Sequence, residues 1–64
     1  MKQVKTMPKK GQFIIVWEYN GQLWSSTFCW QNTLKEYSVE SDRWIDASLP
    51  NDSIKETYFI LEEN

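Results

Sequence analysis

Large apolar residues recur at every second position through the first half of the chain. Phe13, Ile15, Trp17 and Tyr19 alternate along Gln12 to Tyr19, and Trp24, Phe28 and Trp30 fall at even positions along Gln22 to Trp30. A period of two is the mark of β-strands. Asn20-Gly21 separates the two runs. That dipeptide suits a type I′ turn, which needs positive φ at both central residues. A two-residue turn also sets the register. Tyr19 is expected opposite Gln22, Trp17 opposite Trp24, Ile15 opposite Ser26, and Phe13 opposite Phe28. One face then carries Phe13, Ile15, Trp17, Tyr19, Trp24, Phe28 and Trp30. The other carries Ile14, Val16, Glu18, Leu23, Ser25, Thr27 and Cys29.

Beyond this hairpin the pattern is shorter. Gln31-Asn32-Thr33 is a polar break, and Leu34 to Val39 reads as a third strand. Glu40 to Arg43 is turn-like, Trp44 to Ala47 reads as its return strand, and Ser48 to Asp52 as a loop. The final segment supports two readings. Ser53-Ile54-Lys55-Glu56 matches a helix capping box, with Ile54, Tyr58 and Leu61 at helical spacing. Thr57-Tyr58-Phe59-Ile60 is β-branched and aromatic, which favours a strand at 56–61. The predicted fold is mostly β: a small antiparallel sheet or partial barrel of four to five strands. Its last segment is a strand or a short helix. Residues 1–11, closed by Pro8 and Gly11, read as an irregular basic arm. Residues 12–64 read as one small domain.

Two resemblances accompany this pattern. Glu36 to Trp44, followed by Leu49-Pro50, resembles the strand-turn-strand of a kelch propeller blade, with a Tyr before the turn and a Trp after it. A propeller needs several blades and this stretch supplies one, so it is read as convergent. Met7 to Trp17, Asn20 to Trp24, Arg43-Trp44 and Glu56 to Leu61 are together similar to a family of short phage and prophage domains of unknown function. That family closes on a Thr-His-Trp-Met-Pro-Leu-like strand. This chain has Thr57-Tyr58-Phe59-Ile60-Leu61 there, without the His or the Pro. The resemblance implies a mobile-element origin and a compact β fold, and it implies no activity.

Composition narrows the chemistry. The chain has 64 residues, no His and a single Cys. General acid–base catalysis most often uses His, so an enzyme is disfavoured. Cys29 lies mid-strand without a base to activate it and reads as a small buried hydrophobe. The carboxylate pairs Glu40/Asp42 and Asp46/Asp52 read as solvated surface, and Glu62-Glu63 as too frayed to hold a metal. No cofactor or metal is expected. One Cys also excludes an intrachain disulfide, which favours a reducing cytoplasm. No apolar run approaches the ~20 residues that span a bilayer.

Charge is unevenly placed. The net charge is −2, but Lys2, Lys5, Lys9 and Lys10 crowd the first ten residues and the remainder is acidic. Aromatic residues make up 16% of the chain, more than one face of a small sheet can bury. Exposed Trp and Tyr are frequent hot spots of protein interfaces. The leading expectation is a non-catalytic module that binds a host protein through Trp24, Trp30, Tyr37 and Trp44. The alternative is a single-stranded nucleic-acid binder that uses Lys2, Lys5, Lys9 and Lys10 with aromatic stacking. A homodimer through an unpaired edge, either Gln22–Trp30 or 56–61, is a further possibility.

Overall fold

The computed structural model describes residues 1–51 and 53–61. These form one open, antiparallel, six-stranded sheet without helices. In chain order the strands are β1 (Lys2–Val4), β2 (Phe13–Tyr19), β3 (Gln22–Gln31), β4 (Thr33–Ser38), β5 (Arg43–Asp46) and β6 (Ile54–Ile60). Across the sheet they run β1-β6-β2-β3-β4-β5. The sheet is open rather than closed into a partial barrel.

The β2–β3 hairpin has the register that its turn dictates: Tyr19 faces Gln22, Trp17 faces Trp24 and Phe13 faces Phe28. Asn20 and Gly21 have φ of 57° and 80°, the two positive values a type I′ turn requires. Asn32, at φ 68°, sits at the apex between β3 and β4. Asn tolerates this region better than other residues with a Cβ. The β4–β5 loop is Val39 to Asp42, one residue earlier than the Glu40 to Arg43 turn read from the sequence, and it is closed by Ser38 opposite Arg43. The kelch-like spacing is the next cross-strand pair, Tyr37 opposite Trp44.

Two elements depart from the sequence reading. The basic lead-in is not wholly irregular: Lys2–Val4 pairs with Tyr58–Ile60 and supplies a sixth strand. Three residues are too few to show alternation, so only the partner strand defines this one. The last segment is a strand, longer at its start than 56–61. The capping-box side chains do meet, with Ser53 Oγ donating to Glu56 Oε2 at 2.7 Å. Their backbone nevertheless enters a β-bulge. The ladder with β2 shifts between Val16 and Glu18, and Lys55 lies at φ 57° within the extra residue.

Phe13, Ile15, Trp17 and Phe28 form the core, and Phe13, Ile15 and Phe28 are fully buried. Phe28 stacks on Phe13 at 6.2 Å between centroids and meets Trp17 edge-on at 6.2 Å. Each such side chain contributes about 1.5–3 kcal/mol by leaving water. Among the described residues no second sheet or helix covers them. Two connections do. The β1–β2 segment must step over β6, and its Met7 packs on the core. The β5–β6 segment must cross from one edge back to the centre, and its Ala47 and Leu49 pack on the same cluster.

A Cβ at Gly21 meets no atom within 4 Å, so only its positive φ resists substitution. Gly21→Ala is expected to cost about 1–2 kcal/mol, read as a lower midpoint in urea denaturation.

Candidate functional site

The pleat gives the sheet two unlike faces. The covered face carries Phe13, Ile15, Trp17 and Tyr19 of β2, and Trp24, Ser26, Phe28 and Trp30 of β3. Leu34 and Glu36 of β4 join them, since Leu34 pairs with Trp30 and Glu36 with Phe28. Glu36 fastens the cover. Its Oε2 accepts from Ser26 Oγ at 2.8 Å, and its Oε1 from the Ser48 backbone N–H at 3.3 Å. Ala47 N–H donates to the Leu34 carbonyl at 3.1 Å and holds the start of the same segment.

The opposite face has no covering segment among the described residues. Ile14, Val16 and Phe59 lie across its centre, with Cys29, Tyr37 and Trp44 toward β5. Ile14, Val16, Phe59, Tyr37 and Trp44 are half-buried, and Cys29 is buried. Two ion pairs flank this apolar stripe. Lys35 Nζ lies 2.6 Å from Asp46 Oδ1, and Lys55 Nζ lies 3.4 Å from Glu18 Oε1. Each charge on the face therefore has an opposite neighbour.

The four aromatic residues singled out from the sequence divide between these faces. Tyr37 and Trp44 lie together on the open face, with ring centroids 5.4 Å apart and planes at 70°. The Tyr37 hydroxyl donates to Asp42 Oδ1 and closes the β4–β5 turn. Trp24 and Trp30 stand on the covered face, six residues apart along β3, or about 20 Å. The cover reaches Trp17 but leaves Trp24 48% exposed. Trp30 is 41% exposed, and its Nε1–H donates to the Pro8 carbonyl at 2.8 Å. The four do not form one patch. The open face instead gathers Ile14, Val16 and Phe59 with Tyr37 and Trp44. The signal for Ile14 and Val16 was their parity along β2. Phe59 could be added only once β6 was known to pair with β2.

Lys2, Lys5, Lys9 and Lys10 are all exposed. Lys9 and Lys10 follow Pro8, so the Trp30 hydrogen bond brings an exposed indole beside that pair. Cys29 is buried, and Gln31 Nε2 approaches its sulfur at 3.3 Å. Of the carboxylate pairs, Asp42 is engaged by Tyr37, and Glu40 is exposed. Asp46 is held below the usual carboxylate range, first by the hydrogen bond from Lys35 and then by its charge. Asp52, Glu62 and Glu63 lie outside the described residues. Among the described residues no three His, Cys, Asp or Glu side chains cluster as metal ligands. Among the described residues there is no helix long and apolar enough to cross a membrane. No family model matches the chain, and neither a curated protein nor a solved structure matches it.

Glu56 makes a second polar tie, accepting from Tyr58 Oη at 2.7 Å as well as from Ser53. The Tyr58 pKa is raised, first by that hydrogen bond and then by burial. A raised folded pKa means that the folded state holds its proton more tightly. The stabilisation is complete below the ordinary tyrosine value of about 10 and is lost as pH rises through the higher folded value. The thermal unfolding midpoint is therefore expected to fall more steeply above pH ~10 in the native chain than in Tyr58→Phe. Parallel curves for the two would remove this role of Glu56.

Proposed function

We propose that the chain is a non-catalytic protein-binding module whose contact surface is the open face of the sheet. One observation carries the reading. Loops of the chain cover one face, while the other presents Ile14, Val16, Phe59, Tyr37 and Trp44 without a second layer. Sheets of globular domains normally bury an apolar face against another element. The partner is a protein with an apolar patch on a basic body, because residues 11–64 carry nine acids against three cations. The resemblance to short phage domains extends the proposal to a phage-type accessory protein. It would work in the host cytoplasm by occluding a host protein. Of the four aromatic candidates, Tyr37 and Trp44 belong to this surface.

The test is a pull-down from host lysate after nuclease treatment, with native protein and Val16→Lys. The native chain should retain one stoichiometric protein. Val16→Lys should lose it while keeping a native circular dichroism spectrum. Equal capture by both would overturn the open-face reading.

A second reading rests on the Trp30–Pro8 hydrogen bond, which sets an exposed indole beside Lys9 and Lys10. Base stacking beside cations is how single-stranded nucleic acid is held. Deleting residues 1–10 cannot test it cleanly, because that also removes β1 and Met7 from the core. The double substitution Lys9→Gln, Lys10→Gln leaves both in place. Under this reading it should abolish retention of an oligonucleotide and flatten its salt dependence. Under the protein-binding reading it should leave capture unchanged.

A further inference from the structure

β3 is ten residues long, but its ladder with β4 covers only Phe28 to Gln31. Past the Phe28–Glu36 pair the β4–β5 hairpin diverges. No strand among the described residues pairs with Gln22 to Thr27 on that side. The result is a free edge in the middle of the sheet, six residues or about 20 Å long.

Its hydrogen-bonding groups follow from the turn. A two-residue turn is closed by a hydrogen-bonded pair, here Tyr19 and Gln22, and bonded and non-bonded pairs then alternate. Gln22, Trp24 and Ser26 therefore turn their backbone groups toward β2. Leu23, Ser25 and Thr27 turn theirs to the free side.

Exposed edges elsewhere in the sheet are blunted in the ways that keep strands from pairing with other chains. β1 is three residues long and carries Lys2. β5 is four residues long, with Arg43 and Asp46 at its ends. The outer edge of β6 beyond β1 is interrupted by the bulge at Lys55. Gln22-Leu23-Trp24-Ser25-Ser26-Thr27 has no charge, no Pro and no bulge. Leu23 is 74% and Trp24 48% exposed along it.

We infer that this edge is a strand-addition site filled by the same segment of a second copy of the chain, antiparallel across a two-fold axis at Trp24. The register follows from the alternation. With Trp24 opposite Trp24 of the second copy, Leu23 pairs with Ser25, and Ser25 with Leu23, each through outward backbone groups. Trp24 then occupies a non-hydrogen-bonded position, where side chains approach most closely and aromatic pairs are most favourable. Thr27 lies opposite Gly21 of the second copy. The incoming hairpin thus ends where β4 resumes the ladder. An uncharged edge brings no like charges together, although the body of each copy is acidic. The pairing joins two β2–β3 hairpins into one continuous sheet and leaves the open face of each copy free.

Sedimentation equilibrium tests this with the native chain, Leu23→Lys, Ser25→Pro and Val16→Lys. The native chain should sediment at twice its 7.7 kDa mass. Leu23→Lys places a charge on the edge, and Ser25→Pro removes an outward N–H without touching the ladder to β2. Both should sediment as monomers with native circular dichroism, while Val16→Lys, on the open face, should remain dimeric. Should Ser25→Pro fail to fold, Leu23→Lys alone decides, since its side chain is largely in solvent. A native chain that is monomeric overturns the inference. So does a dimer that survives Leu23→Lys, or one lost only in Val16→Lys, which would place the contact on the open face.

Discussion

Phe28 lies against Phe13 on one side and the edge of Trp17 on the other, and the rest of the molecule is arranged to keep water from these three rings. Most small domains cover such a cluster with a helix or a second sheet. Here the cover is made of connections, and the strand order supplies them. Because β6 inserts between β1 and β2, the chain must cross the sheet twice on the way. Both crossings pass over the same face, bringing Met7, Ala47 and Leu49 onto the core. The sheet topology and the lid are thus one solution to a single burial problem.

That economy explains the polar ties beneath the lid. A loop buries little apolar surface and has no internal ladder, so it needs anchors. Glu36 provides one by accepting from Ser26 on a strand and Ser48 on the loop. The Ala47 N–H and the Leu34 carbonyl provide another, and Trp30 holds the Pro8 carbonyl on the opposite crossing. Among the described residues no buried side-chain polar atom lacks a partner. The aromatic surplus follows from the same geometry: with loops covering only the middle of one face, Trp24 and Trp30 on that face and Tyr37, Trp44 and Phe59 on the other stay at least partly in solvent.

Much of this was legible in the sequence, and the limits are physical. Turn chemistry at Asn20-Gly21 fixed the hairpin register and with it both faces of β2 and β3. The direct Tyr37–Trp44 pair was not legible: a loop over Glu40 to Arg43 would set Val39 opposite Trp44, and the ladder closes one residue earlier, at Ser38 and Arg43. β1 left no trace, because Lys-Gln-Val has no intrinsic preference strong enough to mark a strand, and only β6 makes it one. The last segment was ambiguous because Ser53-x-x-Glu56 fits a capping box, in which both side chains would bond backbone N–H groups, whereas here the two side chains bond each other beside a bulge. For the candidate site, Trp24 and Trp30 could be assigned to the hydrophobic face by parity. How far along that face the cover reaches depends on loops whose path has no period. Tyr37 could not be set on the opposite face without knowing that Leu34 pairs with Trp30 across the tight turn at Asn32.

The insertion of β6 also governs the order in which the chain can assemble. The β2–β3, β3–β4 and β4–β5 ladders join neighbours in sequence and can zip from their turns. The β2–β6 ladder cannot, since Phe13 must wait for Ile60. Contacts between residues so distant in sequence carry a high loop-closure entropy and slow folding in small β proteins. Until that closure, β2 presents a bare outer edge of Phe, Ile, Val and Trp, with no lid above it. This long-range loop closure is therefore also the one that pairs the outer edge of the fold's most apolar strand.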